Sequence, residues 1–149
     1  MRQRAEARLE VEELDREHRE QVRKLLLGVL ETIDAFDRVF RSVASKPDTI
    51  TPQMRIWLNN FRTVRRLLER VVTEQGLVPI VANPEDSFDP HWHRVSRIVA
   101  DPTRPEGAIV EITAPGWVWH GAVLRKTEVV VVSNNHQVPD ESQTDEGGT

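Results

Sequence analysis

The chain of 149 residues contains no cysteine and no tyrosine. The absence of cysteine excludes disulfide bonds, thiol nucleophiles and zinc sites built on thiolates, and it fits a protein of a reducing compartment. A glycine-rich phosphate loop and a nucleophile-elbow motif are missing as well. The sequence therefore offers no foundation for an enzymatic mechanism, and we expect a non-enzymatic protein that uses no cofactor.

Long apolar runs and a surplus of positive charge are also missing. The longest apolar run falls far short of the roughly 20 residues that span a bilayer. The densely charged first 20 residues lack the apolar core of a secretory signal. The formal net charge is −4, whereas dedicated nucleic-acid binders usually carry a basic surplus. These absences predict a cytoplasmic protein with neither a membrane nor nucleic acid among its partners.

Residues 1–45 carry the pattern of one long helix. They contain no proline and a single glycine, Gly28, and their apolar residues recur at steps of three and four. Before residue 21 the apolar stripe is narrow, and His18 interrupts it, so this half needs another helix beside it, as in a coiled coil. From Val22 onward the apolar face widens to that of a bundle core.

Residues 51–75 form the second predicted helix. Thr51 can cap its N-terminus, Pro52 suits the first helical position, and Gly76 suits the position just after the end. Two helices joined by a short loop cannot bury faces this wide, so we infer a homodimer with a four-helix bundle. The predicted dimer interface consists of Val22, Leu26, Val29, Ile33, Phe36, Trp57, Phe61, Val64 and Leu68.

After Gly76 the apolar period changes to two and turn residues multiply, which predicts a small all-β domain over residues 76–133. The expected fold class is therefore α+β, followed by a tail, residues 134–149, whose composition is typical of disorder. Trp117 and Trp119 would share one face of a strand, either in the core or as a binding platform, and the core is the commoner outcome. The run 129–132 places valines on both faces of a strand. We expect one face to be exposed or covered by a partner.

Three groups of polar residues are candidate sites. One is the only set that could hold a metal, but its spacing matches no known metal site and we expect none: Asp89, His91, His93 and His120. A hydrolase based on His91 and His93 is correspondingly remote. A second group is the set of second-helix arginines, which form either a nucleic-acid surface or, more commonly, a solvated exterior. The third group shares one stripe of the first helix and is either a solvated exterior or a docking surface: Arg16, Arg19 and Arg23.

Residues 76–132 resemble the C-terminal domain of the GrpE family. The family pattern there has a Gly-Val-x-x-Ile start, a loop similar to FDPxxHEAV, and the string PGTVxEVxxxGYxxxGRVLRPAxVxV. Upstream, LLLGVLETIDAFDRVF is similar to the family segment LLPVLDNLERAL, so the resemblance covers about residues 5 to 133. The matching positions of the domain are Gly76, Ile80, Phe88, Asp89, Pro90, His93, Val95, Gly107, Val110, Glu111, Gly116, Gly121, Val123, Leu124, Arg125, Val129 and Val131.

The resemblance implies a homodimeric nucleotide exchange factor of a DnaK-type chaperone, in which the long first helices pair as a coiled coil. In this family a β-domain enters the nucleotide-binding domain of the chaperone and moves a subdomain, so that ADP leaves. The chaperone-facing surface implied for this chain lies around Gly121, Ala122, Arg125 and Val131. An alternative is a coiled-coil adaptor with the same fold that has lost or redirected exchange activity.

The chain departs from the family pattern beside this surface. Ala122 replaces an arginine, Lys126 and Thr127 replace Pro-Ala, and Glu128 replaces an apolar residue. Arg94 stands where the family has glutamate after the loop histidine. Because lysine does not reproduce the bidentate contacts of arginine, these departures bear on how the chain meets its partner.

Overall fold

A computed structural model describes residues 1–135 of the chain. In chain order, the elements are helix α1 (Arg2–Ala44), a single 3₁₀ turn (Pro47–Thr49), helix α2 (Pro52–Glu74), and strands β1 (Leu77–Pro79), β2 (His93–Val99), β3 (Ile109–Ala114), β4 (Trp117–Trp119), β5 (Ala122–Arg125) and β6 (Thr127–Val132). Two helices are followed by a small all-β region, so the predicted α+β class is confirmed. The predicted tail lies outside the described residues, except for Asn134 and Asn135.

The ends of α2 follow the local signals in the sequence. The hydroxyl of Thr51 accepts a hydrogen bond from the backbone N–H of Met54 at 3.2 Å, and Pro52 occupies the first helical position. At the other end Gly76 adopts a φ of +92°, which a residue with a side chain rarely adopts. The chain therefore leaves α2 sharply and enters β1 directly afterwards.

The two helices form an antiparallel hairpin whose register is set by polar and aromatic contacts. The Arg65 guanidinium bonds both carboxylate oxygens of Asp37, at 2.6 and 3.1 Å, and reaches Glu69 at 2.8 Å. Hydrogen bonding to Asp37 raises the pKa of Arg65 above its usual value. The rings of Phe36 and Phe61 lie 6.1 Å apart between their centroids. Both contacts pair the last third of α1 with the middle of α2.

The hairpin buries one apolar stripe of each helix, and we call the contact between the two stripes the seam. Leu26, Leu30 and Ile33 of α1 are at most 2% exposed, and Leu58 and Val72 are buried on α2. Leu26 and Ile33 were predicted to lie in a dimer interface, but in a single chain they are already covered. The heptad pattern identified them as buried and did not distinguish a partner in the same chain from a partner in a second copy.

A different stripe stays open. Trp57 is 56% exposed, Phe61 is 36% and Val64 is 41%. Val22, Val29, Phe36 and Leu68 are half-buried. These residues, all in the predicted interface, belong to the apolar surface of the hairpin that one chain does not fully cover.

The β region forms two three-stranded sheets, with strand orders β1-β4-β5 and β2-β6-β3. In the second sheet β6 is central: it runs parallel to β2 and antiparallel to β3. All four residues of the run Val129–Val132 are at most 7% exposed. Both faces of this run are covered within the single chain, so the expectation that one face is exposed or covered by a partner is wrong.

By its contacts the chain divides into two compact units. The first contains Met1–Val78 together with Trp119–Leu124, and the second contains Pro79–Val118 together with the described residues from Arg125 onward. The tip of the β4–β5 hairpin therefore groups with the helices. No helix among residues 1–135 is both long and apolar enough to cross a membrane.

Two neighbouring leucines test the packing of the hairpin. Replacing Leu26, which is 2% exposed, with alanine should lower the free energy of unfolding by about 2–5 kcal/mol, because it leaves a cavity between the helices. Replacing Leu25, which is 69% exposed, with alanine should change it by less than about 0.5 kcal/mol. Urea unfolding at one protein concentration measures both. Equal effects of the two substitutions would contradict the observed seam.

Candidate functional site

The turn between β4 and β5 is a tight two-residue loop. His120 has a φ of 50° and Gly121 a φ of 76°, and both values are positive, as a type I′ turn requires. Gly121 and Ala122 are exposed, and a side chain added at Gly121 would meet no atom within 4 Å. The turn therefore presents its backbone without covering side chains. A larger residue at Gly121 would be strained by its φ rather than by a clash.

Trp119 fixes the base of this turn within the helical unit. Its indole N–H donates a hydrogen bond to the carbonyl oxygen of Gln75, at 3.1 Å, and its ring lies 4.6 Å from that of His120. A cleft of about 490 Å³ adjoins the pair. The other residues that line the cleft are Asp15, His18, Arg19, Val22, Glu74 and Gln75. Trp119 is thus half-buried, while Trp117 is 2% exposed, which confirms the core position predicted for Trp117.

The three arginines predicted as a docking stripe do not share one environment. Arg19 lines the cleft beside Trp119 and His120. Arg16 is exposed, and Arg23 lies 3.4 Å from Glu20 in an exposed ion pair. Only Arg19 is brought together with the β4–β5 turn.

Arg125 and Val131, predicted as chaperone contacts, have internal roles. The Arg125 guanidinium donates hydrogen bonds to the carbonyl oxygen of Pro115, at 2.6 and 3.2 Å, and so joins β5 to the loop before β4. Val131 is 7% exposed and packs with Ile109 and Val129 in the core of the β2-β6-β3 sheet. Its side chain is therefore not available to a partner.

The residues that depart from the family pattern after β5 are also bonded within the chain. The Lys126 ammonium donates to the carbonyl oxygen of Pro90 at 2.6 Å. The carboxylate of Glu128 forms an ion pair with Arg94, its register partner on the parallel strand β2. Sequence reasoning missed this pair, although both residues were noted separately. The signal that could have revealed the pair is that two positions that differ from the family pattern, Arg94 and Glu128, carry opposite charges.

The close approach of Thr127 leaves no room for a side chain at position 116, which explains the glycine there. The backbone N–H of Gly116 donates to the Thr127 hydroxyl at 3.0 Å, and Thr127 is 1% exposed. A Cβ at Gly116 would collide with the backbone nitrogen of Thr127 and would lie 2.8 Å from the carbonyl oxygen of Arg125. The strand entering the turn is therefore held against β5 and β6 at a distance that only glycine permits.

The candidate metal residues do not form a metal site. His93 is 8% exposed, and its Nδ1 accepts a hydrogen bond from the backbone N–H of Asp89 at 2.9 Å. The Asp89 carboxylate in turn accepts from the backbone N–H of His91 at 2.9 Å. Across residues 1–135, no group of three or more potential ligands is suitably placed for a metal. Asp89 and His93 instead brace the loop that leads into β2.

Comparison with known proteins assigns almost the whole described chain to one family. The GrpE family model matches residues 2–133. The chain is 26% identical over 120 residues to Protein GrpE of Methanosarcina barkeri, covering 80% of this chain and 53% of that protein. It is 27% identical over 109 residues to Protein GrpE of Coxiella burnetii, covering 73% and 52%. A mitochondrial GrpE protein homolog of Debaryomyces hansenii is 24% identical over 115 residues, covering 76% and 46%. The chain spans about half the length of these relatives.

Two glycines should respond to alanine with opposite signs. Gly116→Ala should lower the free energy of unfolding by about 1–3 kcal/mol, because the new methyl group meets backbone atoms that cannot move aside easily. Gly28→Ala, on α1 with nothing within 4 Å of the added carbon, should raise it by up to about 1 kcal/mol through helix propensity. Thermal and urea unfolding give both values. Tolerance of alanine at residue 116 would refute the close approach to Thr127.

Proposed function

The chain belongs to the GrpE family, and from this premise we propose that it is a nucleotide exchange factor that binds the ATPase domain of a DnaK-type chaperone as a homodimer and promotes release of ADP. The observation that carries the proposal is the continuous family match over residues 2–133, which includes both helices and all six strands. As an exchange factor, the protein would perform no chemistry of its own.

Exchange by binding alone requires a rigid surface that fits one state of the partner better than another. A protein that binds the open, nucleotide-free state more tightly shifts the partner toward that state, and nucleotide binding must then weaken its hold by the same factor. The β4–β5 turn meets the structural requirement. It is a two-residue loop between paired strands, and the bond from Trp119 to Gln75 holds its base.

The proposed contact consists of Gly121 and Ala122, with Arg19 alongside. Gly121 and Ala122 are exposed on the turn, and Arg19 lines the cleft beside His120. Val131 is left out because it lies in the core. Since Ala122 carries no charge, we propose that this contact depends on the shape of the turn more than on an ion pair. Such a contact responds weakly to salt.

The proposed dimer uses the apolar stripe that the hairpin leaves open. Trp57, Phe61 and Val64 are exposed at the steps of four and three expected for knobs-into-holes packing. Exposed aromatic residues in a row are unusual on a monomer and typical of a helix interface. A second copy of the same hairpin presents the same stripe, so a twofold interface would cover both.

Gly121→Asp should abolish most of the exchange activity without unfolding the protein. The added carboxylate projects from the centre of the proposed contact, and losses there commonly amount to about 2 kcal/mol or more, which slows exchange by more than about tenfold. Stopped-flow release of labelled ADP from the cognate DnaK-type chaperone measures the effect.

Gly107→Asp is the matched control for this experiment. Gly107 has the same φ of +76° and no atom within 4 Å, but it lies in the loop before β3. It should retain exchange activity. If the unmodified protein does not accelerate ADP release, the exchange function is refuted. If it binds the chaperone without acceleration, the adaptor alternative takes its place.

Trp57→Asp should dissociate the dimer. A carboxylate in a buried helix interface loses its hydration without gaining a partner, so the dimer dissociation constant should rise by about a hundredfold or more. Ile56→Asp is the control, because Ile56 is 57% exposed, almost the same as Trp57, but is rotated by about 100° from Trp57 around the helix axis. Sedimentation equilibrium distinguishes the two. A monomeric unmodified protein would exclude the bundle.

A further inference from the structure

The end of the helical hairpin nearest its connection is strongly basic. Residues 38–66 contain seven lysines and arginines and one acidic residue, Asp48, although the whole chain has a net charge of −4. One of the seven, Arg65, is bound to Asp37 and Glu69 in the seam. The other six are Arg38, Arg41, Lys46, Arg55, Arg62 and Arg66, and we call them the basic face. All six are exposed.

Helix geometry places the arginines of both helices on the same side of the hairpin. At about 100° per residue, Arg55, Arg62 and Arg66 fall within roughly 40° of one another on α2. Around the axis of α2, these arginines are rotated by about a quarter-turn from the buried positions Leu58 and Val72. Around the axis of α1, Arg38 and Arg41 are rotated from the buried positions by a similar angle and in the same direction. Because the helices are antiparallel, equal displacements from the seam lead to the same face.

The open apolar stripe of Trp57 and Val64 is rotated from the seam of α2 by about a quarter-turn in the other direction. The basic face and this stripe therefore lie on opposite sides of α2. A second copy packed on that stripe would therefore leave the basic face uncovered. The charges are also not neutralised within the chain. Among residues 1–135, none of the six cations forms an ion pair with a carboxylate. The closest polar contact is between Arg62 and the side-chain oxygen of Asn59, at 3.1 Å.

The side chains of this face favour phosphate over other anionic partners. Five of the six cations are arginines, whose planar guanidinium groups bind phosphate oxygens in a bidentate way. Asn59, on the same stripe, adds a hydrogen-bonding amide. Protein interfaces depend on buried apolar or aromatic anchors, and peripheral membrane binding depends on an apolar face. Here two large apolar side chains adjoin the arginines. The half-buried Phe40 has its ring centroid 5.4 Å from the Arg62 guanidinium, and Ile56 lies at the margin of the arginine stripe.

From these observations we propose that the basic face of the α1–α2 hairpin binds the phosphate backbone of nucleic acid without sequence preference. The net negative charge of the chain argues against such binding, but nearly all of the carboxylates that produce it lie outside residues 38–66. Association of this kind is driven by release of counterions from the nucleic acid, and it needs only a local row of cations. The inference is independent of exchange activity, which depends on the β4–β5 turn.

Fluorescence anisotropy with a labelled DNA duplex of about 20 base pairs tests the proposal. Binding should strengthen steeply as the salt concentration falls. R55Q/R66Q should weaken it by about tenfold at about 0.1 M salt and lower the slope of log affinity against log salt by roughly two, because two phosphate contacts are lost. R2Q/R4Q removes the same charge from the exposed start of α1 and should change the affinity by less than about twofold.

Any of three results would overturn the proposal. One is the absence of binding to DNA or RNA duplexes at about 50 mM salt. The second is equal weakening by R55Q/R66Q and R2Q/R4Q, which would mean that net charge, not the basic face, is responsible. The third comes from vesicles containing an anionic phospholipid, used as a parallel probe. If they bind more tightly than DNA and depend on Arg55 and Arg66, a membrane surface replaces nucleic acid as the partner.

Discussion

Each helix of the hairpin carries more apolar surface than the other helix can cover. Leu26, Leu30 and Ile33 of α1 are buried within the hairpin, and Leu58 and Val72 are buried on α2. Trp57 and Val64 lie roughly a quarter-turn away and stay in solvent. This excess is the constraint on which the rest of the molecule depends, because a contiguous apolar surface of this kind is typical of an interaction site. It is the surface on which the proposed dimer rests.

The Arg65 ion pairs favour one orientation of α2 against α1, and this orientation decides which face of α2 is buried and which faces stay in solvent. A heptad pattern alone permits several rotations of one helix against the other, since every apolar position gains from burial. Arg65 sits in the seam and bonds both Asp37 and Glu69, so rotating α2 would strand a partly buried charge. In the observed orientation of α2, Leu58 is covered and Trp57 stays exposed on one side of the helix. The three arginines of the basic face on α2 lie on the other side. One polar contact thus separates an apolar face from a basic face.

Sequence reasoning found what depends on local order. The periods of 3.5 and 2, Thr51 and Pro52 at a helix start, and Gly76 at a helix end are properties of neighbouring residues, and they predicted both helices and the β region. The central position of β6 was not predictable in the same way. It results from pairing with β3 on one edge and with β2, whose residues lie more than 30 positions away, on the other. Val131 is buried by packing against Ile109 and Val129. Leu26 and Ile33 are buried, as their period indicated, but periodicity reports burial and not the identity of the covering surface, so their place in a dimer interface stays a prediction.

The departures from the family pattern acquire a common explanation once the pairing of β2 and β6 is known. Arg94 and Glu128 both differ from the pattern, and the structure makes them register partners and an ion pair. Thr127 differs as well, and its hydroxyl accepts the N–H of Gly116, where only glycine fits. Each of these substitutions therefore has a partner inside the chain, so none of them needs a changed chaperone to account for it. Ala122 is different, because its methyl group can form no such polar contact and it lies exposed on the turn. Under the proposed function, a change of partner affinity would originate there, through loss of a cation.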